Sequence, residues 1–407
     1  MVAANRRPLA GKVGLVMVLL AVAVQAARGF ATPGLGTMIF GGLGATLVAV
    51  TWLPAPAKVR KLAVRACLVL GSTYVALILV EMVLSLSPRA QHHVFVLSMQ
   101  NMPEADPDYG YKLVPNYEGT YFDGVERSQI KLNSLGHRDD EPPNPAQVEN
   151  DLLLVGDSFT FGMGIERADT IEARIEATSD GKVTAYNTGV PGWGAPQATL
   201  EVERVPWKGR AIVYFYFVND LTFDNVHPEA RTVRQGLMVP RMRRDGTTLT
   251  NEQIDRNLGP LLDANHSWSP VAWATSVTAL QRLGAISYAL RDKQLRMTGL
   301  PSRAFDPEYR TLFVAQVAKM KSLAEKKKVD LHVVIIPAKG EVLAGEWSPV
   351  NQEVLPALEE LGVDLQLGLL TRLSAEDYLA HDGHFNGDGS QATAEFVLEL
   401  VGGSKGE

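Results

Sequence analysis

The hydrophobic pattern changes character twice along the chain. Before residue 90 it consists of long apolar runs, from Val13 to about Phe30, Gly34 to Leu53 and Ala66 to Leu86. From 88 to 150 it breaks into short pieces rich in Pro, Asn, Asp and Gly. There "LVPNYEGTYF" and "SQIKLNSLGHRDDE" predict short strands and turns. From 151 onward, apolar β-rich runs alternate with stretches of helical period. Strands are predicted at Asp151–Val155, Val183–Tyr186, Ala211–Val218, Leu331–Ile336 and Val363–Leu367. Helices are predicted at Thr170–Ala177, Gln197–Val205, about 307–327, about 350–361 and after Gly389. Residues 225–305 hold little strand signal. They carry one long mixed helix around 270–292 and a basic "RMRRDG", and read as an insertion. Strands alternating with helices predict a parallel sheet covered on both faces.

The N-terminal runs change the picture most. A spanning helix needs roughly 20 apolar residues, and the second and third runs meet that length. The first is interrupted by Gln25 and Arg28. A second reading makes it a signal-peptide core, with Arg6, Arg7 and Lys12 in front and Ala26 and Ala27 behind. Lys58, Arg60, Lys61 and Arg65 separate the second run from the third, whereas only Arg28 lies between the first two. The positive-inside rule then predicts a multi-pass protein of the cell membrane with a cytoplasmic N-terminus. Everything after Ser87 is expected outside, in the periplasm or beyond the cell. The domain plan is a membrane region of three transmembrane helices over 1–87, a neck or lid over 88–150, and an α/β domain over 151–402 with an insertion at about 225–305.

Composition adds mainly exclusions. A net charge of −6 over 407 residues gives no reason to expect nucleic acid as a partner. The single cysteine, Cys67, rules out an internal disulfide framework and a cysteine-based zinc site. It lies in an apolar run and reads as a small buried residue.

Candidate chemistry gathers where the predicted strands end, which is where ligands of such sheets bind. The first strand runs into "LLLVGDSFTFGMG", with Gly156, Asp157 and Ser158. The second runs into "YNTGVPGWG", with Asn187, Gly189 and Gly192. The third ends in "FVND", with Asn219 and Asp220, and "HDGHFNGDG" near the C-terminus holds Asp382 and His384. A serine nucleophile needs a base, an acid to orient the base, and donors for an oxyanion. These four blocks contain all three.

In those blocks the chain resembles the SGNH (GDSL-type) hydrolases. The resemblance covers about 150–402 without the insertion, and "KLNSLGHRDDE" resembles a segment that precedes Gly-Asp-Ser in membrane-anchored members. It implies a flavodoxin-like parallel sheet with helices on both faces, Ser158 as nucleophile and His384 as base. It also implies an oxyanion hole from the Ser158 and Gly192 N–H groups and the Asn219 side chain. Asp157 and Asp220 then organise loops. Two departures stand out. Phe217 occupies the glycine position of the third block. The Asp-x-x-His of the last block would need an Asp at 381, where His381 stands, so Asp382 becomes the partner of His384. Asp382-Gly383-His384 is similar to the shorter pair of alginate-type O-acetyltransferases. Asp224 to His227 and Asp263 to His266 also fit Asp-x-x-His, but neither precedes a "FNGDG" and a helix.

The function implied is serine-dependent ester hydrolysis. The same triad serves an O-acyltransferase modifying an envelope polysaccharide or lipid, with a membrane protein supplying acyl groups. A non-catalytic envelope scaffold is the third reading, supported by the unusual last block. No cofactor and no metal are expected: His381, Asp382 and His384 form one short cluster with no distant third ligand. Ser158 as a mere helix cap, Trp193 and Phe159 as core packing rather than pocket lining, and Arg241, Arg243 and Arg244 as a solvated face are the plain alternatives. His92 and His93 are expected solvated or at the membrane surface.

Overall fold

The computed structural model describes residues 99–122, 126–256, 258, 306–380 and 382–403, together with scattered positions before residue 73. The chain divides into two compact units, 1–90 with 255–289 and 91–254 with 290–407. In the first, the described positions other than Pro56 are helical backbone, among them 57–59 and 64–66. The three apolar runs, His92, His93 and His381, the helix expected around 270–292 and the Asp263–His266 pair fall largely or wholly outside the described residues. Among the described residues no helix is long and apolar enough to cross a membrane.

Among its described residues the second unit contains thirteen strands, and the central ones are buried on both sides. In chain order the strands are β1 Pro103–Asp106, β2 Gly110–Leu113, β3 Glu118–Phe122, β4 Arg127–Lys131, β5 Val148–Glu149, β6 Leu152–Val155 and β7 Ala185–Asn187. β8 Trp207–Lys208, β9 Ala211–Tyr216, β10 Arg231–Arg234, β11 Leu237–Pro240, β12 Asp330–Ile335 and β13 Asp364–Gln366 follow. Five of them form one parallel sheet in the order β13-β12-β9-β6-β7. That order is the expected flavodoxin-like winding, whose switch point lies between its first strand, β6, and its third, β9.

Alternation along the strands sends side chains to two cores. Leu153, Val155, Ile212, Tyr214, Tyr216, Val333 and Ile335 face one side. There they meet α3 Ala195–Arg204, α4 Pro307–Lys327 and α5 Pro349–Glu360, which contribute Val202, Phe313, Val317 and Leu358. Leu152, Leu154, Val213, Phe215, Val334 and Ile336 face the other. They pack on α2 Ile171–Thr178 and α6 Gly387–Gly403. All six side chains of β9 are buried. Double-sided burial is why these runs read as continuous apolar strands, and one buried Leu cut to Ala in such a core costs about 2–5 kcal/mol.

The 99–141 segment does not stand apart from the sheet. Tyr109, Tyr111, Leu113, Tyr121, Ile130 and Leu132 form a third cluster with Phe161, Met163, Val190 and Trp193, residues of the loops beyond β6 and β7. The stretch expected to lack strands differs too. Residues 231–240 form an antiparallel hairpin, β10–β11, with Arg231 opposite Pro240 and Arg234 opposite Leu237. Its turn carries Gln235 and Gly236 at positive φ, and "TVRQGLMV" has only weak alternation for a sequence reading to find.

A buried charge cluster ties this segment to the sheet. Asp139 Oδ2 accepts the Asn187 N–H at 2.7 Å, and Arg167 donates to Asp139 at 2.8 Å and to Glu172 at 3.2 Å. One guanidinium thus serves two buried carboxyls, and it also lies 3.4 Å from the exposed Asp140. Burial first, and repulsion from Asp139 second, hold the Glu172 carboxyl above its ordinary range. A carboxyl raised on folding keeps its proton where the unfolded chain has lost it. Its contribution is complete below the ordinary value of 4.5 and lost as pH rises through the folded one. Urea denaturation from about pH 5 to about pH 8 should show the native protein losing stability relative to Glu172→Gln, which has no charge to bury. Parallel pH curves for the two proteins would remove this account.

Candidate active site

Ser158 is placed by the way β6 ends. Gly156 has φ +158°, and a Cβ there would meet Thr160 Oγ1 at 2.3 Å and Phe215 O at 3.0 Å. The close approach to β9 therefore requires glycine. Asp157 caps the short helix α1, Ser158–Phe161, by accepting the Phe159 N–H at 2.9 Å. This leaves Ser158 as the first helical residue, 7% exposed.

The base arrives from the other end of the chain, just before α6. His384 Nε2 lies 2.7 Å from Ser158 Oγ. His384 Nδ1 lies 2.9 Å from Asp382 Oδ2, an ion-pair contact with a carboxylate only 5% exposed. The two-residue spacing works because the chain bends at Gly383, whose N–H donates to Asp382 Oδ1 at 2.6 Å. Phe159 packs on the imidazole, with ring centroids 5.0 Å apart for Phe159 and His384, and Phe385 packs in turn on Phe159 at 4.8 Å. Phe217, in the position where the resemblance implies a glycine, packs on Phe159 at 4.6 Å.

The oxyanion candidates flank the serine, because β9 and β7 are the two neighbours of β6. After β9, Asn219 Nδ2 donates to Asp157 Oδ2 at 2.9 Å across the switch point. One amide hydrogen is used there, and the second is left for a substrate oxygen. After β7, Asn187 is a tie rather than a donor to substrate. Its Nδ2 donates to Thr160 O at 2.8 Å and its Oδ1 accepts the Gly189 N–H at 2.9 Å. Gly192 follows with φ +79°. Among the described residues, no acceptor takes the N–H of Gly192 or of Ser158.

Two buried acids, Asp157 and Asp220, neighbour each other beside the serine loop. Burial pushes the Asp157 carboxyl up, while its bonds from Phe159 and Asn219 oppose that. Asp220 is pushed far above the usual range by burial first and by the nearby Asp157 second, and it accepts a hydrogen bond from the Tyr214 hydroxyl. Asp157 thus joins the serine helix to the loop after β9, and Asp220 joins that loop to β9 itself. Among the described residues no group of three His, Cys, Asp or Glu is placed to hold a metal. Asp224 and His227 face Arg231 and Glu229 instead of the serine. Trp193, 2% exposed, stacks on Tyr109 with centroids 4.9 Å apart and belongs to the core. Arg241, Arg243 and Arg244 are exposed.

Sequence reasoning missed Arg138. Its side chain is fully buried and donates to the carbonyls of Gly162, of Ile165 at 2.7 Å, of Gln129 at 3.1 Å and of Phe161 at 3.3 Å. Burial pulls its guanidinium down to about 10. It thereby fixes the chain leaving the serine helix. Its only sequence signal is its place in "KLNSLGHRDDE".

No family model matches the chain, and no curated protein matches it. Solved structures similar in part include a lipolytic protein of the G-D-S-L family from Desulfitobacterium hafniense. It is 11% identical over 62% of this chain and 99% of that one, with a TM-score of 0.34. A GDSL-like lipase from Bacteroides thetaiotaomicron is 9% identical over 63% and 89%, with a TM-score of 0.32. An acetyl xylan esterase from Butyrivibrio proteoclasticus is 10% identical over 66% of each chain, with a TM-score of 0.32. At these scores the likeness carries no weight of its own, and the site stands on its geometry.

Arg138→Met strands several carbonyls in a dry site and is expected to lower unfolding free energy by about 3 kcal/mol. Denaturant titration reads this directly. A loss below about 1 kcal/mol would mean that water replaces the guanidinium there.

Proposed function

We propose that the protein is a serine ester hydrolase working through an acyl-serine. The observation that carries this reading is the contact chain Ser158 Oγ to His384 Nε2 at 2.7 Å and His384 Nδ1 to Asp382 Oδ2 at 2.9 Å. His384 takes the Ser158 proton as Oγ attacks an ester carbonyl, and Asp382 stabilises the imidazolium that forms. The tetrahedral oxygen is received by the N–H groups of Ser158 and Gly192 and the Asn219 amide. His384 then returns the proton to the departing alcohol. Water, activated by the same imidazole, frees the acid and restores Ser158.

The location proposed is the outer side of the cell membrane. It is supported by the apolar runs at 13–30, 34–53 and 66–86 and the basic loop at 54–65. An acylated envelope glycan or lipid is the substrate class that suits such an anchor. With a sugar hydroxyl in place of water, the same steps give acyl transfer. The scaffold reading loses its main argument, since the short Asp382-Gly383-His384 spacing still places carboxylate against imidazole.

The first test is intact-mass spectrometry of the full chain after treatment with a fluorophosphonate. One adduct is expected on the parent, none on Ser158→Ala, and a much slower one on His384→Ala. A folded parent that takes no adduct would falsify the reading. With p-nitrophenyl acetate, Asn219→Ala is expected to lower kcat by about 100-fold or more. Adding acetylated and free oligosaccharides to the reaction separates the acceptors: acetate release marks water, and a mass gain on the free sugar marks transfer.

A further inference from the structure

Gly192 is held by two residues from outside the sheet. Tyr111, on β2, donates its hydroxyl to Pro191 O at 2.7 Å. Arg231, on β10, donates from Nη1 to Gly192 O at 2.5 Å. These carbonyls belong to the two peptide units on either side of the Gly192 Cα. In a trans peptide the C=O and N–H of one unit point in opposite directions, and the described chain has no cis bond. Anchoring Pro191 O therefore aims the Gly192 N–H, and anchoring Gly192 O fixes the next unit. The positive φ of +79° between them is held from both ends. A Cβ at 192 would meet Arg231 Nη1 and Tyr111 Oη, both at 2.9 Å, so the two side chains close over the bare Cα.

The clamp is itself braced. Trp193 Nε1 donates back to Tyr111 O at 3.1 Å. Tyr109 stacks on Trp193 and donates its hydroxyl to Glu201 at 2.9 Å. Tyr111 is 1% exposed, and burial holds its hydroxyl protonated, pushed up to about 12. Arg231 is steadied by Asp224 Oδ2 at 3.5 Å. Strands β1 and β2 pack against β10, so the neck hairpin and the 231–240 hairpin grip the loop together.

We propose that Tyr111 and Arg231 are positioning residues for the oxyanion site, acting from the segments that flank the α/β core: Tyr111 aims and polarises the Gly192 N–H through Pro191 O, and Arg231 holds the following peptide unit so that the Gly192 backbone keeps that aim. This rests on the esterase reading. A hydrogen bond to the carbonyl of a peptide strengthens its N–H as a donor. Because the negative oxygen exists only in the transition state, losing this support lowers kcat and leaves KM in place.

The test uses the full chain with Tyr111→Phe, Arg231→Met and Arg231→Lys, p-nitrophenyl acetate as substrate and phenylboronic acid as a tetrahedral mimic on Ser158. Tyr111→Phe keeps the ring in its core and removes one hydrogen bond. It is expected to lower kcat roughly tenfold, a part of the 100-fold or more that losing a donor outright costs. KM should stay within about twofold, and the boronate Kd should rise by the same factor as kcat falls. Arg231→Met should act likewise, with Arg231→Lys recovering part of the loss. The proposal is overturned if kcat and boronate affinity stay at parent values in both Tyr111→Phe and Arg231→Met. It is equally overturned if KM alone rises. A parent that neither turns over the ester nor takes a fluorophosphonate on Ser158 overturns the esterase reading instead.

Discussion

The buried carboxyl of Asp157 is the point on which the site depends. It accepts Phe159 N–H and Asn219 Nδ2, one with each oxygen. The first bond starts the helix that carries Ser158. The second bridges the switch point to the loop after β9. A carboxylate under such cover costs several kcal/mol in lost hydration, by order of magnitude, unless its lone pairs are met. Here both oxygens are met, so the same bonds that make its burial tolerable also set the nucleophile against the amide donor. Asp220 adds a second buried acid beside it and is held by Tyr214. Each of the two buried acids is thus hydrogen-bonded to a named partner, and such bonds favour one arrangement of the loops over others.

The loop after β7 is fixed differently. Asn187 ties it to the serine helix from below, through Thr160 O. Its outer half is fixed from above by Tyr111, Arg231 and the stacked Tyr109–Trp193 pair. Arg138 completes the frame by taking up the carbonyls where the serine helix ends. Each of the three residues Tyr111, Arg138 and Arg231 lies outside the α/β pattern that begins at 151. The sheet alone gives the strand ends, and the flanking hairpins convert those ends into a rigid site.

Much of the sheet was legible because its strands are buried on both faces. Such runs of Val, Ile, Leu and Tyr stand out against amphipathic helices, and four predicted helices match the observed ones within two residues. The strand ends were legible for a related reason: a Gly-Asp-Ser or an Asn-Asp at the end of an apolar run has no business in a core. The β10–β11 hairpin was not legible. "RTVR" is half-buried throughout and carries two arginines, while "LMVP" is apolar at every position, so neither shows a clear polar alternation. The neck was found as strands and turns but not as part of the core. Its Tyr109, Tyr111 and Tyr121 are buried by partners from 161–193, and nothing local announces those partners. Arg138 escaped for the same reason, since a fully buried Arg is visible only through the carbonyls it meets.

The last block shows what spacing does and does not constrain. A catalytic acid has to reach Nδ1 while Nε2 faces the serine, and that is a demand on atoms, not on sequence separation. In Asp382-Gly383-His384 the bend at Gly383 brings Oδ2 to Nδ1 while Oδ1 takes the Gly383 N–H. The bond to the intervening amide locks the carboxylate in place, a service that a longer spacing would have to obtain elsewhere. Phe159 then packs on the imidazole and is itself braced by Phe385. The base is oriented by its immediate neighbours in sequence on one side and by the nucleophile's own helix on the other. Ser158 and His384, 226 positions apart, therefore share the restraint of Phe159, so a displacement of the serine helix carries its base with it.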